Sequence, residues 1–405
     1  MELLQETCPL IELYNMLKVP SVFSLVDVGC SGGIDPIFKK IGCGEHVQFR
    51  ALGIDASVDE IERLRRENTD QRIQYIDGIV GLEEGHPFNK DIGKRSWSGN
   101  NPWERLSVYR SVLFRENSQK IQSHEEKMQH NQWQSTRLSG NLITLADTIT
   151  ERCFSDVDLL KIDIDGPDFM AMQSLHKRFD EFGILAVVME VNYIGSDCPT
   201  DHTFHNTDRF MRQNGFDLFG LTIRHYSTSS LPFRFLYNVP MQTTYGRPMY
   251  GDALYMRDIC STSSPVPNRF LTPEKLINSV LLFSIFGLPD CAAEILLAHK
   301  ETLNAFLDID VFLDVLTKQC VSMQCGTPSD ISNYRELMTL YENDSPEFYM
   351  AGDNFKYNML AQDYEKLKNS SKADRIVEKL QRHRIVYFFI RIAYRLLIKF
   401  FGSCV

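Results

Sequence analysis

A doubly wound α/β sheet is the fold this sequence predicts for residues 1–260, with a helical region behind it. Three observations carry that expectation. Short β-rich apolar runs alternate with stretches of helical periodicity, the pattern of a mostly parallel sheet covered by helices. The first run ends in an acid and then a glycine-rich turn, the place where Rossmann-like sheets meet their ligands. Near residue 260 the alternation stops: a segment rich in Ser and Pro (residues 260–267) leads into helical patterns alone.

The elements follow in order. Residues 24–28 read as a buried strand and 48–55 as a second, with room for one helix between them. Residues 58–68 have helical spacing, and strands are expected again at 72–76, 157–163 and 184–190, with a helix over 169–179. Between the third and fourth strands the pattern lapses. Residues 84–138 are polar and hold all three tryptophans, Trp97, Trp103 and Trp133, as expected of a lid-like insertion. After the linker, Thr272 and Pro273 form a capped helix start, and helical patterns recur through residue 380. The expected organisation is a ligand-binding domain over 1–260, a helical region over 261–380 and a tail helix over 381–405.

Composition narrows the partners. With 405 residues the chain is long for one compact core. A formal net charge of -10 argues against nucleic acid as the main partner, because phosphate binding needs a basic surface. The ten cysteines include no C-x-x-C pair, so reduced thiols in a cytoplasmic protein are expected. The acidic start of the chain shows no signal peptide, and no stretch of eighteen uncharged apolar residues suits a spanning helix.

The strongest chemical signal is Asp27-Val-Gly-Cys-Ser-Gly-Gly33. A strand that ends in glycines lets backbone approach a ligand lying over the sheet edge. Ser31 stands where a dinucleotide fingerprint has its second glycine, and Asp27 precedes Gly29 by two residues. A pyrophosphate disfavours that carboxylate; a cationic sulfonium with a free amino group favours it. Asp55 ends the second strand, where a carboxylate can accept the hydroxyls of a ribose. The bland alternatives are a ligand-free turn and an Asp that only caps the next helix.

With Leu160-Lys-Ile-Asp-Ile-Asp-Gly-Pro-Asp168, Val188-Met-Glu-Val-Asn192 and the segment from Asn141 to Asp147, the glycine turn resembles the FkbM-type methyltransferases, a branch of the class I S-adenosylmethionine enzymes. The resemblance covers about residues 20–260. It implies a class I methyltransferase fold, S-adenosylmethionine as cofactor and O-methylation of a sugar or other small hydroxylated acceptor. The expected cofactor contacts are Asp27, Gly29, Cys30, Ser31, Gly33, Asp55 and Ala56, and the expected catalytic candidates are Asp163, Asp165, Glu190 and His205. Asp165 and Asp168 stand where the family pattern has Glu, which keeps charge and shortens reach.

Taken by themselves, Asp163, Asp165 and Asp168 form a carboxylate cluster at a strand end. The cluster suits three roles: orienting an acceptor, holding a divalent metal, or capping the next helix. Methyl transfer from a sulfonium needs in-line positioning, and a hydroxyl acceptor also profits from a general base. His202 and His205 are candidates for that base, with Asp163 and Glu190 as rivals.

In residues 382–401 the cations Arg384, Arg391, Arg395 and Lys399 fall within about 80° of one another at 100° per residue. This reads as peripheral contact with an anionic membrane surface, such as the inner face of a membrane where a surface glycan is built; a terminal packing helix is the alternative. Two rivals stand against the enzyme reading: an inactive methyltransferase-fold scaffold and a nicotinamide-dependent oxidoreductase.

Overall fold

The computed structural model describes residues 3–81, 137–261, 266–323 and 331–349, apart from residues 6, 19, 155, 165–167, 196–197, 228–230, 232, 235 and 237–241. The insertion expected at 84–138, with its tryptophans, falls almost entirely outside the described residues, and the tail at 381–405 falls outside them altogether. Contacts divide the chain into two compact units, Met1–Phe312 and Leu313–Val405.

The first unit is built on one sheet. In chain order its strands are β1 (Ser21–Val28), β2 (Val47–Asp55), β3 (Ile73–Asp77), β6 (Leu159–Ile162), β7 (Ala186–Asn192), β8 (Asp217–Leu221), β9 (Arg224–Tyr226) and β10 (Arg247–Met256). β4 (Ile79–Gly81) and β5 (Leu142–Thr144) form a separate parallel pair. The main order is β3-β2-β1-β6-β7-β10-β8, with β9 paired to β10. The five strands from β3 to β7 are parallel, and β10 runs antiparallel to β7, β8 and β9. The chain winds outward from β1 to β3 and then returns to the other side of β1 as β6. That reversal makes the β1/β6 crevice a topological switch point, where open α/β sheets hold ligands. The fold is the Rossmann-like doubly wound α/β class that the sequence predicts.

Helices flank the sheet: α1 (Leu10–Asn15), α2 (Pro36–Lys39), α3 (Val58–Glu67), α4 (Leu145–Glu151), α5 (Asp168–Gln173) and α6 (Phe204–Gln213). One sheet face carries Val26, Val28, Leu52, Ile54, Leu160, Ile162, Val187 and Met189, packed with Leu145 and Ile149 of α4 and Met172 beyond β6. Each such side chain contributes about 1.5–3 kcal/mol when fully buried. The near-continuous apolar runs of β1 and β7 are what a strand covered on both faces requires.

Two expected elements are trimmed. The helix expected over 169–179 stops at Gln173, because the bonds from Leu175 to Met172 and from His176 to Gln173 tighten the last turn. Lys177 then takes φ 66°, which ends any helix. The strand expected from residue 157 begins at Leu159, since Asp158 turns its carboxylate onto the Ser24 amide at 2.8 Å.

A 3-10 turn (Asn268–Leu271) leads to α7 (Pro273–Ile285), α8 (Pro289–Ala298) and α9 (Lys300–Leu303), which share the compact unit of the sheet. The Thr272 side chain caps α7 as the sequence predicts. α7 lies on the β1 edge: Glu274 accepts the Val22 amide at 2.8 Å, and Asn278 donates to the Val22 carbonyl at 2.9 Å. These bonds satisfy β1 backbone that β6, which pairs only from Leu25 onward, leaves open. α10 (Ile309–Met323) starts in the first unit, capped by Asp308. In the second unit α11 (Tyr334–Tyr349) follows, its Tyr334 amide donating to Asp314 at 2.8 Å.

Candidate cofactor and acceptor site

β1 delivers Asp27 and the turn that follows it to the carboxyl edge of the sheet. Gly29, Gly32 and Gly33 have φ of 82°, 83° and 87°, a region that residues with a Cβ avoid. At Gly29 the reason is close approach: a Cβ there would stand 1.7 Å from the Asp163 carbonyl oxygen. The turn is therefore pressed onto the end of β6, and the Asp163 amide donates to the Val28 carbonyl at 2.9 Å. At Gly32 a Cβ would meet nothing within 4 Å, so that part of the turn faces open space. The Gly32 amide is held by Glu60 at 2.9 Å, and Arg63 grips Glu60 in turn, holding its carboxyl below the usual range. Cys30 is buried, and burial pushes its thiol well up.

Asp55 ends β2 beside this turn. Its Oδ2 accepts the Ser31 hydroxyl at 3.0 Å and its Oδ1 accepts the Ser57 amide at 2.8 Å, so the carboxylate is aimed by both neighbours. Both expected roles of Asp55, facing the crevice and bracing the start of α3, are compatible with this geometry. Ala56 lies next to it, its carbonyl accepting the Ser139 amide at 2.8 Å.

Asp27 is buried, and its charge is met inside the protein: Lys161 of β6 donates to its Oδ1 at 3.0 Å. Burial raises the Asp27 carboxyl, and the ammonium works against that rise. Lys161 also lies 3.7 Å from Asp163, whose side chain is 46% exposed and so reaches solvent at the crevice. Lys161 is thus a partner of Asp27 that spacing along the sequence does not reveal.

The two histidines named from sequence part company. His202 joins the end of β7: one ring nitrogen lies 2.8 Å from the Glu190 carbonyl oxygen, and the other lies 3.9 Å from Asp168. Asp168 is fully buried and accepts the Ile164 amide at 2.9 Å, so it braces the loop after β6 from below. His205 is exposed on α6, with Thr203 at 3.4 Å. Glu190 is half-buried on β7, directly across the ladder from Asp252 of β10. Asp165 lies outside the described residues. Among the described residues, no three His, Cys, Asp or Glu side chains gather as a metal site.

Sequence reasoning missed Tyr75 and Lys161. Tyr75 supports the turn from β3, its hydroxyl accepting the Ile34 amide at 3.3 Å under Gly33. Its only sequence signal is a place in a β-rich run. Lys161 had a signal, a lysine alone in an apolar strand, which ordinarily demands a buried partner.

Residues 99–218 match the family model described as the methyltransferase FkbM domain. No curated protein matches the chain. Among solved structures, the chain is similar to magnesium protoporphyrin IX methyltransferase from Synechocystis PCC 6803 with bound SAM, at 10% identity and TM-score 0.26 over 59% of this chain and 72% of that one. A TehB-like SAM-dependent methyltransferase from Corynebacterium glutamicum shows 10% identity and TM-score 0.24 over 59% and 82%. The matched segment runs from the insertion through β5, β6 and β7 into β8 and contains Asp163, Asp165, Glu190 and His205. Residues 99–218 of this chain are thus similar to a methyltransferase FkbM domain.

Proposed function

We propose that the chain is an S-adenosylmethionine-dependent methyltransferase that methylates a hydroxyl of a sugar or other small hydroxylated acceptor. The observation that carries this reading is the acid-flanked glycine turn at the switch point, with Asp55 aimed beside it by Ser31 and Ser57. The open space at Gly32 and the close seat of Gly29 on Asp163 fit a nucleoside ligand laid over backbone. S-adenosylmethionine supplies an electrophilic methyl on a sulfonium when bound. The residues do the rest: Asp55 accepts ribose hydroxyls, and Gly29, Cys30, Ser31, Gly33 and Ala56 shape the floor. Asp163 presents a solvent-reaching carboxylate that can orient an acceptor hydroxyl and take its proton. Glu190 and His205, with Asp165, complete the acceptor-side candidates. A divalent metal is not required by this reading.

Binding of S-adenosylmethionine, its demethylated product and a nicotinamide cofactor, each followed by the rise in melting temperature, tests the proposal directly. Stabilisation by the first two alone supports it. Stabilisation by the nicotinamide cofactor alone replaces it with an oxidoreductase, and stabilisation by none leaves a scaffold. Incubation with hydroxylated acceptors and mass spectrometry then reads methyl transfer.

The proposal extends to place. Among the described residues no helix is long and apolar enough to cross a membrane. Residues 382–401 have the composition of a reversible anchor to an anionic inner leaflet, which suits a cytoplasmic enzyme acting on a lipid-linked glycan. Flotation of the full chain with anionic liposomes at low salt, lost in a chain ending at Leu380, is the expected result. Equal behaviour of the two chains overturns the anchor.

A further inference from the structure

The proposed function gives Lys161 no role, yet among the described residues it is the cation set between the crevice carboxylates. Its side chain is 15% exposed, wedged between Asp27 of the adjacent strand and Asp163 two residues on along its own chain. Asp27, two residues before Gly29, and Asp163, whose carbonyl Gly29 nearly touches, are the two sides of the clamp that shapes the turn. We propose that Lys161 is a positioning residue that pins both sides of this clamp and fixes the charge of the crevice, so that cofactor affinity does not drift with pH. This rests on the methyltransferase reading and assigns a part within its site.

The groups facing Asp27 can be counted. β6 presents Lys161 and Asp163, β2 presents Asp55, the turn presents the Cys30 thiol, and β3 presents the Tyr75 phenol. With Lys161 in place, three carboxylates and one ammonium leave a net charge of -2. Burial raises the Asp27 carboxyl, and Lys161 is the main force holding it down. Without Lys161, Asp27 takes up a proton at low pH, and the crevice stays at -2. As pH rises Asp27 ionises unpaired, and the crevice becomes -3. S-adenosylmethionine carries one positive charge more than its demethylated product, so the ratio of their affinities reports that change.

The test is calorimetry of both ligands on the full chain from pH 5 to pH 8, for the wild type, K161R and K161M. The expected ratio is flat for the wild type and K161R. In K161M it rises by about five- to tenfold with pH, the scale on which one charge acts in a partly buried site. A folded K161M with a flat ratio overturns the proposal, because a merely structural lysine would leave the ratio unmoved. If K161M does not fold, the double variant D27N/K161M removes both charges; its recovery of folding supports the pairing, and its failure to fold overturns it. Absence of binding by the wild type overturns the cofactor reading itself, and is seen before any variant is made.

Discussion

Two lysines are buried against carboxylates at opposite ends of the same sheet, and they are wired differently. At the amino end, Lys275 of α7 donates to Asp158 at 2.8 Å and to the Gly183 carbonyl at 2.8 Å, with Asp156 also at 2.8 Å. Both Lys275 and Asp158 are nearly inaccessible, and the second Asp158 oxygen accepts the Ser24 amide. At the carboxyl end, Lys161 has one close carboxylate and a second at 3.7 Å that opens to solvent. A lysine with three acceptors at 2.8 Å docks a helix on a sheet; one with a single close carboxylate leaves charge for a ligand. The sheet thus holds its docking contact and its proposed ligand site at opposite ends.

The largest effect expected from breaking this contrast is at Lys275. Substitution by Met keeps the length and leaves Asp158 buried without its cation, which costs about 3–5 kcal/mol for a broken buried pair. Urea unfolding should show the loss, while affinity for S-adenosylmethionine in the folded fraction stays unchanged. An equal loss of both would mean that the two ends are coupled.

Asp55→Ala should act the other way. It removes the acceptor that Ser31 and the proposed ribose share, and weakens cofactor binding by about 1–3 kcal/mol, the cost of leaving polar partners unpaired. Calorimetry reads this, and unchanged affinity would take Asp55 out of the site. Stability should fall less than binding, because Asp55 also braces Ser57 at the start of α3, where water can replace it.

These two positions show what could be read from sequence. The place of Asp55 was legible because its signal is local: an acid at the end of an apolar run, next to a helix start. The glycine turn was legible for the same reason, since positive φ leaves its mark on residue type. Lys275 and Lys161 were not, because each is explained by a partner more than one hundred residues away in sequence, Asp158 or Asp27. His202 and His205 make the same point: three residues apart, both are candidate bases in the sequence, and His205 is the one expected to be catalytic. Only the return of the loop onto the end of β7 seats the first beside Glu190 and turns the second outward. The order of β7, β10 and β8 likewise depends on antiparallel pairing that alternation of elements does not encode.

The smallest expected effect tests whether the carboxyl end is held open by design of its surroundings or by one bond. Glu60 sits in the first turn of α3, accepts the Gly32 amide and is gripped by Arg63. Its carboxyl is held below the ordinary value of 4.5, chiefly by the hydrogen bond from Arg63. A carboxyl that ionises more readily in the folded state contributes stability above its unfolded pKa, and that stability is lost as pH falls through the folded one. The pair is close to solvent, so its worth is that of a surface ion pair, about 0.2–1 kcal/mol. Glu60→Gln should therefore lower stability by that amount at pH 7, and the difference from wild type should shrink as pH falls below the ordinary carboxyl value and vanish below the lowered folded one. Its effect on the turn should be smaller still, since glutamine can accept the Gly32 amide through its own carbonyl oxygen. A large loss of cofactor affinity in this variant would show instead that the turn is held by the charge of Glu60, and would place a fourth anion among the groups that tune the crevice.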